Sequence, residues 1–263
     1  MLEMPDRAPR LVEGFGGPVV VLAPHMDDEI IGPGGTICRH VVARAGVTFV
    51  FMTDGRSGDP EVLRSGLAKS EIDRLTLELA GQRKAESRRA AEMIGVDDLV
   101  FLDGPDGRLS ESTAIVDALA AKLREKQPAV IYAPAITDNH RDHWATNRIL
   151  RLALQALPTE MRAGIVIRGY EVWTPCPANV MVDITEVADA KKHAIGAFTT
   201  QTKFVDYAWT AMGLNQYRSM VHLHGRGFAE AFFETTVEEY LKAFEVVELA
   251  RGHENMPVVL GQK

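Results

Sequence analysis

Short continuous apolar runs, alternating with longer stretches of helical periodicity, predict an α/β protein. Runs of this kind read as strands buried on both faces, which belong to a mostly parallel sheet with helices on both faces. A third observation sharpens this: the densest polar clusters stand directly after two of the runs, where such sheets place their ligands. Composition agrees, since 46% hydrophobic and 25% charged residues over 263 positions can bury a sizeable core without disulfides.

The elements follow in order. Residues 1–17 read as a loose N-terminal segment ahead of one domain that takes up the rest of 1–263. Pro18-Val-Val-Val-Leu-Ala-Pro24 is the first strand, and it ends in His25-Met-Asp-Asp-Glu29. Gly32-Pro-Gly-Gly35 leads into a helix over 36–44, closed by Gly46. Val47-Thr-Phe-Val-Phe-Met52 is the second strand, turned by Thr53-Asp-Gly55. Strand, helix, strand in this order makes a βαβ unit and a Rossmann-like sheet.

A polar segment over 56–70 precedes a long helix that carries Arg83, Glu86, Arg88 and Arg89 and ends at Gly95. Residues 99–102 form a third strand, 114–126 a crossover helix, and 129–133 a fourth strand followed by Thr137-Asp-Asn-His-Arg-Asp-His143. Beyond this point, 165–173 and 180–184 read as strands of undecided direction and 186–198 as a helix. No repeat of fixed period appears.

A formal charge of −7 and the lack of a basic stripe with interleaved aromatics argue against nucleic acid as partner. Cys38 and Cys176 are far apart and form no Cys-x-x-Cys pair, so they read as free thiols of a reducing compartment. The first segment has no apolar h-region, and no run reaches the roughly 18 apolar residues of a membrane span. A cytoplasmic protein without membrane contact is expected.

The two polar clusters carry the chemistry. His25 and Asp28 stand three residues apart across a turn and can face one point, and His143 completes two nitrogens and one oxygen around a divalent cation. Three protein ligands leave a position open, as in catalytic zinc sites. Fe(II), Co(II) and Ni(II) suit the same donors. Asp27, adjacent to Asp28, suits a general base, because neighbouring carboxylates in one site divide their roles.

Ala23-Pro-His-Met-Asp-Asp-Glu-Ile-Ile-Gly-Pro-Gly-Gly-Thr36, with His140-Arg-Asp-His143 further on, resembles the two signature motifs of the PIG-L or LmbE-like family of zinc deacetylases. The likeness continues through Thr53-Asp-Gly55, Arg83-Lys-Ala-Glu86, Tyr170-Glu-Val-Trp173 and Lys191 to Gln201. It departs at Met26 and Arg141, where the family usually carries proline. The resemblance implies a Rossmann-like fold and removal of the N-acetyl group from an N-acetylglucosamine-type amino sugar or its glycoconjugate. It also implies Zn2+ on His25, Asp28 and His143, Asp27 as base, and imidazolium His140 as oxyanion stabiliser or acid. Asp142 is then expected to orient His140, and Arg83 and Asp106 to meet sugar hydroxyls. Relatives commonly assemble, so a homo-oligomer is possible.

Several signals have plainer explanations. Arg83 sits in a charge-rich helix where a solvated face is the default, and Asp106-Gly107 could be an ordinary turn. His222 and His224 alternate as in a strand and read as surface or rim residues, and His193 as solvated. Trp173, Tyr207, Trp209, Tyr217 and Phe232 could stack on a sugar, but aromatic residues are more often core.

A nucleotide-binding reading of Gly32, Gly34 and Gly35 fails because acidic residues separate the strand from the glycines. Phosphoester hydrolysis would favour a second metal. The remaining alternatives are hydrolysis of another amide or N-acyl molecule, and a sugar-binding homologue without catalysis.

Overall fold

The computed structural model describes residues 8–251. Its elements run β1 (Arg10–Leu11), β2 (Val19–Ala23), α1 (Asp28–Ile31), α2 (Gly34–Val42), β3 (Val47–Thr53), α3 (Pro60–Leu63), α4 (Lys69–Ile94) and β4 (Asp98–Gly104). Then come α5 (Thr113–Lys126), β5 (Val130–Pro134), α6 (Arg141–Gln155), α7 (Thr159–Arg162), β6 (Val166–Tyr170) and β7 (Val180–Asp183). After a 3-10 turn at Thr185–Val187 follow α8 (Ala188–Ile195), α9 (Thr199–Thr202), α10 (Tyr207–Arg218), α11 (Met220–Leu223), β8 (Ala229–Thr236) and α12 (Val237–Arg251).

These strands form one eight-stranded sheet in the order β1-β7-β8-β6-β5-β2-β3-β4. From β6 to β4 every pairing is parallel, whereas β8 runs antiparallel to both β6 and β7. Alternation along the strands fills two cores. Val19, Val21, Phe49, Phe51 and Tyr132 point to a face covered by Ile37 of α2, Ala90 of α4 and Ile195 of α8. Val20, Leu22, Val50 and Ile131 point to the other face, with Leu119 of α5, Ile149 of α6 and Phe244 of α12. Both faces of β2 are thus dry, which is why its sequence is continuous in apolar residues rather than alternating.

Chain order decides where the ligand site lies. From β2 the chain passes to β3 and β4 on one side, then returns to β5 on the other side of β2. The loops after β2 and β5 therefore diverge, and a crevice opens at their carboxyl ends. His25 to Glu29 leave one strand there, and Asp138 to His143 leave the other.

The structure departs from the sequence reading toward the C-terminus and at the start. Within the segment expected to be loose, β1 pairs with β7, and Val12 and Phe15 are buried in the core. His222 lies on α11 and His224 follows it in the left-handed region at φ 54°, so the alternating histidines are not in a strand. The nearby strand is β8, whose Glu230, Glu234 and threonines break the apolar run that marks the others. Among the described residues, no helix is long and apolar enough to cross a membrane.

Candidate metal centre and active site

His25 follows β2, and Asp28 opens the short helix α1, with its Oδ2 accepting the His25 backbone N–H at 2.9 Å. The same oxygen lies 3.2 Å from His25 Nδ1 and 3.2 Å from His143 Nε2. His143 is brought there by α6, whose N-cap is His140. His140 Nδ1 accepts the Asp142 backbone N–H at 3.2 Å and starts the helix. Arg141 takes the first helical position and is exposed, a place where proline is favoured but a long polar side chain does no harm.

Asp27 is held between two anchors. Its backbone N–H donates to Glu29 Oε2 at 2.9 Å, and its carboxylate lies 3.3 Å from Arg83 Nη2. The residue adopts φ 147° and ψ −30°, a sparsely populated conformation for a side chain with a Cβ. Arg83 enforces it by also donating to Met26 O at 2.9 Å and Gly55 O at 3.2 Å. Met26, fully buried, packs its methyl group where a Cβ on Gly55 would stand, and Gly55 has φ 69°. In this way the side chain at the family's usual proline position becomes part of the packing under Asp27.

A second polar layer surrounds His25. Its Nε2 lies 3.2 Å from Asp106 Oδ1 and 3.2 Å from Asp142 Oδ2. Asp106 also accepts the Ser57 N–H at 2.7 Å, and Asp142 accepts those of Gly107 at 2.7 Å and Leu109 at 3.2 Å. The Asp142 carboxylate, expected to orient His140, is therefore turned to His25, because the backbone amides after β4 draw it there. Asp106 is more than a turn residue: Gly107 supplies the turn at φ 75°, while the aspartate side chain reaches into the site.

Asp138 was not singled out by its sequence, although it stands in the same polar string as His140. It is 1% exposed, lies 3.4 Å from His143 Nδ1, and accepts the backbone N–H of His140 at 2.8 Å and of Trp173 at 3.2 Å. The available signal was a carboxylate at the strand end two residues before a histidine.

Charge and burial set the proton affinities. Burial pushes Asp27 up to about 7, against the opposing pull of Arg83. Burial would likewise raise Asp28, but His143 and His25 outweigh it and hold the carboxyl well below its ordinary range. For His143 the burial effect is downward, yet Asp28 and Asp138 bring it up to about 9. His140 has no such support: burial, then the positive charge of His25 and His143, pushes it down to about 3. With Nδ1 already accepting a backbone N–H, its ring is neutral and carries its proton on Nε2, not the imidazolium that the sequence resemblance implied.

His25, Asp27, Asp28, Arg83, Asp106 and His140 line one cavity of about 160 Å³, together with Ser57, Trp173, Gln201 and Tyr207. His143 and Asp142 are fully buried beside it and touch Asp28 and His25. All eight residues singled out in the sequence are thus brought together. Trp173 stacks on His140 at 6.1 Å, whereas Trp209 and Tyr217 are exposed and Phe232 is core. His193 is exposed, and neither it nor His222 and His224 line this cavity.

The chain is similar to several known proteins. Residues 20–154 match the model of the PIG-L family, described as GlcNAc-PI de-N-acetylase. A diacetylchitobiose deacetylase from Thermococcus kodakarensis is 26% identical over 73% of this chain and 72% of its own length. A probable N-acetyl-alpha-D-glucosaminyl L-malate deacetylase 2 from Bacillus cereus is 30% identical over 70% of this chain and 84% of its own.

Among solved structures, the N,N'-diacetylchitobiose deacetylase from Pyrococcus horikoshii superposes with a TM-score of 0.70 at 26% identity, covering 85% of each chain. The 4-carboxy-2-hydroxymuconate hydratase from Pseudomonas putida, at 19% identity and a TM-score of 0.69 over 83% of this chain and 96% of its own, shares the fold alone. With its two histidine–aspartate motifs meeting at the ends of β2 and β5 and more than half of its length inside the family match, the chain belongs to the PIG-L de-N-acetylase family.

Proposed function

We propose that the protein hydrolyses the acetamide of an N-acetylglucosamine-type amino sugar or its conjugate, using a divalent cation held by His25, Asp28 and His143. One observation carries the reading. His143 Nε2 is buried without a hydrogen-bond partner, yet it lies 3.2 Å from an Asp28 oxygen that is equally close to His25 Nδ1. A buried nitrogen left unsatisfied beside a carboxylate calls for an electrophile between them. The charge balance calls for the same: Asp27, Asp28, Glu29, Asp106, Asp138 and Asp142 are all buried here, with Arg83 as the fixed cation among them.

The donors suit zinc, and Fe(II), Co(II) or Ni(II) would fit them as well. One nitrogen each of His25, His140 and His143 also lie within 4.8 Å of one another. We assign Asp28 rather than His140 as third ligand because its Oδ2 already stands 3.2 Å from both other donor nitrogens. When bound, the cation supplies a Lewis acid for the acetyl carbonyl and the attacking water.

The chain's own groups perform the remaining work. Asp27 takes the proton of the attacking water and returns it to the leaving amine, since its carboxyl lines the cavity beside Asp28 and is held there by Arg83 at 3.3 Å. Arg83 keeps that carboxylate aimed. His140, neutral with its proton on Nε2, donates a hydrogen bond to the oxygen that becomes negative. Asp106 and Asp142 accept from His25 Nε2–H and so leave the Nδ1 lone pair free to hold the cation beside Asp28. Arg83 and Asp106 also form the wall that meets the sugar hydroxyls.

The test is acetate release from a panel of N-acetylglucosamine conjugates, comparing wild type with Asp27→Ala at matched metal content. The expected result is a fall of roughly 10²–10⁴-fold with the metal retained. A metal-loaded wild type that releases no acetate from any member would overturn the proposal.

A further inference from the structure

Beside the polar cavity lies a second one of about 230 Å³, and the two share Ile31, Val172, Trp173 and Tyr207 as a common wall. Most of its lining surface is apolar, from Val205, Ala211 and Leu214 around α10 and Ala231 of β8, while Thr210 and Asn215 add two uncharged polar groups. Two carboxylates border it, but neither has charge to spare. Glu171 is paired with Arg218 and accepts the Cys176 N–H at 2.7 Å. Glu230 is paired with Lys191 at 2.7 Å and accepts the N–H groups of Gly35 at 2.8 Å and Thr36 at 2.7 Å. The space is therefore a mainly apolar chamber without an unpaired charge that adjoins the polar cavity, with Trp173 and Tyr207, in edge contact at 6.5 Å, lining both.

We propose, building on the deacetylase reading, that this chamber binds an apolar aglycone joined to the amino sugar, a short alkyl chain or a single aromatic ring. Size allows it, since cavities of about 150 Å³ hold a benzene molecule. Chemistry favours it, because a second sugar or a malate, as named for the relatives, would set most of its polar groups against Val205, Ala211, Leu214 and Ala231, with Thr210 and Asn215 as the uncharged polar partners. The aglycone is the occupant rather than a longer acyl group, because the named relatives differ in what is joined to the sugar while each is named as a deacetylase.

The experiment uses the metal-loaded full chain and two substrate series on N-acetylglucosamine: a growing alkyl group at C1, and a growing N-acyl chain on the unsubstituted sugar. Each methylene buried should raise kcat/KM about fourfold in the C1 series, so a butyl glycoside should exceed the methyl glycoside by roughly ten- to hundredfold. Binding of the deacetylated alkyl glucosaminides, followed by calorimetry, should gain in parallel.

Ala211→Leu, which fills the chamber, should bring the butyl-to-methyl ratio toward one, and Leu214→Ala, which enlarges it, should move the optimum to a longer chain. Melting temperatures identify a variant that fails to fold, and the other then decides. Equal rates along the C1 series, a gain only in the N-acyl series, or a ratio unmoved by both substitutions would overturn the aglycone assignment while leaving deacetylation intact. Absence of acetate from every substrate would instead remove the reading beneath it.

Discussion

Two clusters of buried charge in this molecule differ in how their atoms are satisfied. Around Lys191 every strong group has a partner inside the chain: Nζ donates to Gly32 O at 3.0 Å, Asn215 Oδ1 at 2.9 Å and Glu230 Oε1 at 2.7 Å. Glu230 then takes two backbone N–H groups at the start of α2. Around His25 and His143 the accounts stay open, with unpartnered ring nitrogens on His143, a strained Asp27 backbone and six buried carboxylates, of which Asp27 pairs with Arg83. Completed buried charge pins α2 and α8 to β8. Incomplete buried charge is where a ligand and a reaction belong.

The largest effect should come from breaking the closed cluster. Lys191→Met leaves Glu230 buried without its cation and should lower stability by roughly 3–5 kcal/mol in urea unfolding of the metal-loaded protein. A loss below 1 kcal/mol would mean that the pair is not essential to the packing of α2 on β8.

A third kind of buried polar group tests the same contrast through pH. His40 is held neutral between Phe15 O at 2.8 Å and Tyr132 Oη at 2.9 Å, and burial pushes its pKa down to about 4. The unfolded chain, with a histidine pKa near 6.5, takes up the proton first as pH falls. Its contribution is therefore complete above about pH 6.5 and lost progressively toward pH 4, roughly 3 kcal/mol in all. His40→Gln should flatten that part of the stability–pH curve relative to wild type, and parallel curves would place the acid sensitivity elsewhere.

The open cluster should respond to metal. Zinc at about 100 times its Kd should raise unfolding stability by roughly 2.7 kcal/mol. Chelation should reverse the gain, and His143→Ala should abolish it. Smaller again is the effect of Asp142→Asn, which weakens the acceptor on His25 Nε2. Metal affinity should fall about 10- to 100-fold by competition with a chelator, with little change in folding. Unchanged affinity would return Asp142 to the backbone amides of Gly107 and Leu109 alone.

Much of the site was legible because its ligands come in two short strings, each placed directly after an apolar run. The spacing of His25 and Asp28 is local, and so is that of His140 and His143. What joins Asp106 and Asp142 to His25 is not local: the loops after β4 and β5 meet only because β4 and β5 lie on opposite sides of β2. Asp138 was passed over because a carboxylate in a polar string looks like solvated loop until burial shows otherwise. The antiparallel β8 escaped because its glutamates and threonines face partners supplied by other elements, such as Lys191 and Arg168.

By itself the amino-acid sequence determined the class of fold, the strands β2, β3 and β5, and the two motifs at their ends, since hydrophobic period and residue spacing are properties of neighbouring positions. Only the tertiary structure decided the strand order with its crevice between β2 and β5, the neutral state of His140, the turning of Asp142 toward His25, and the apolar chamber beside the site. Each of these depends on contacts between residues far apart in the chain, whose burial and charge arise only when the sheet has assembled.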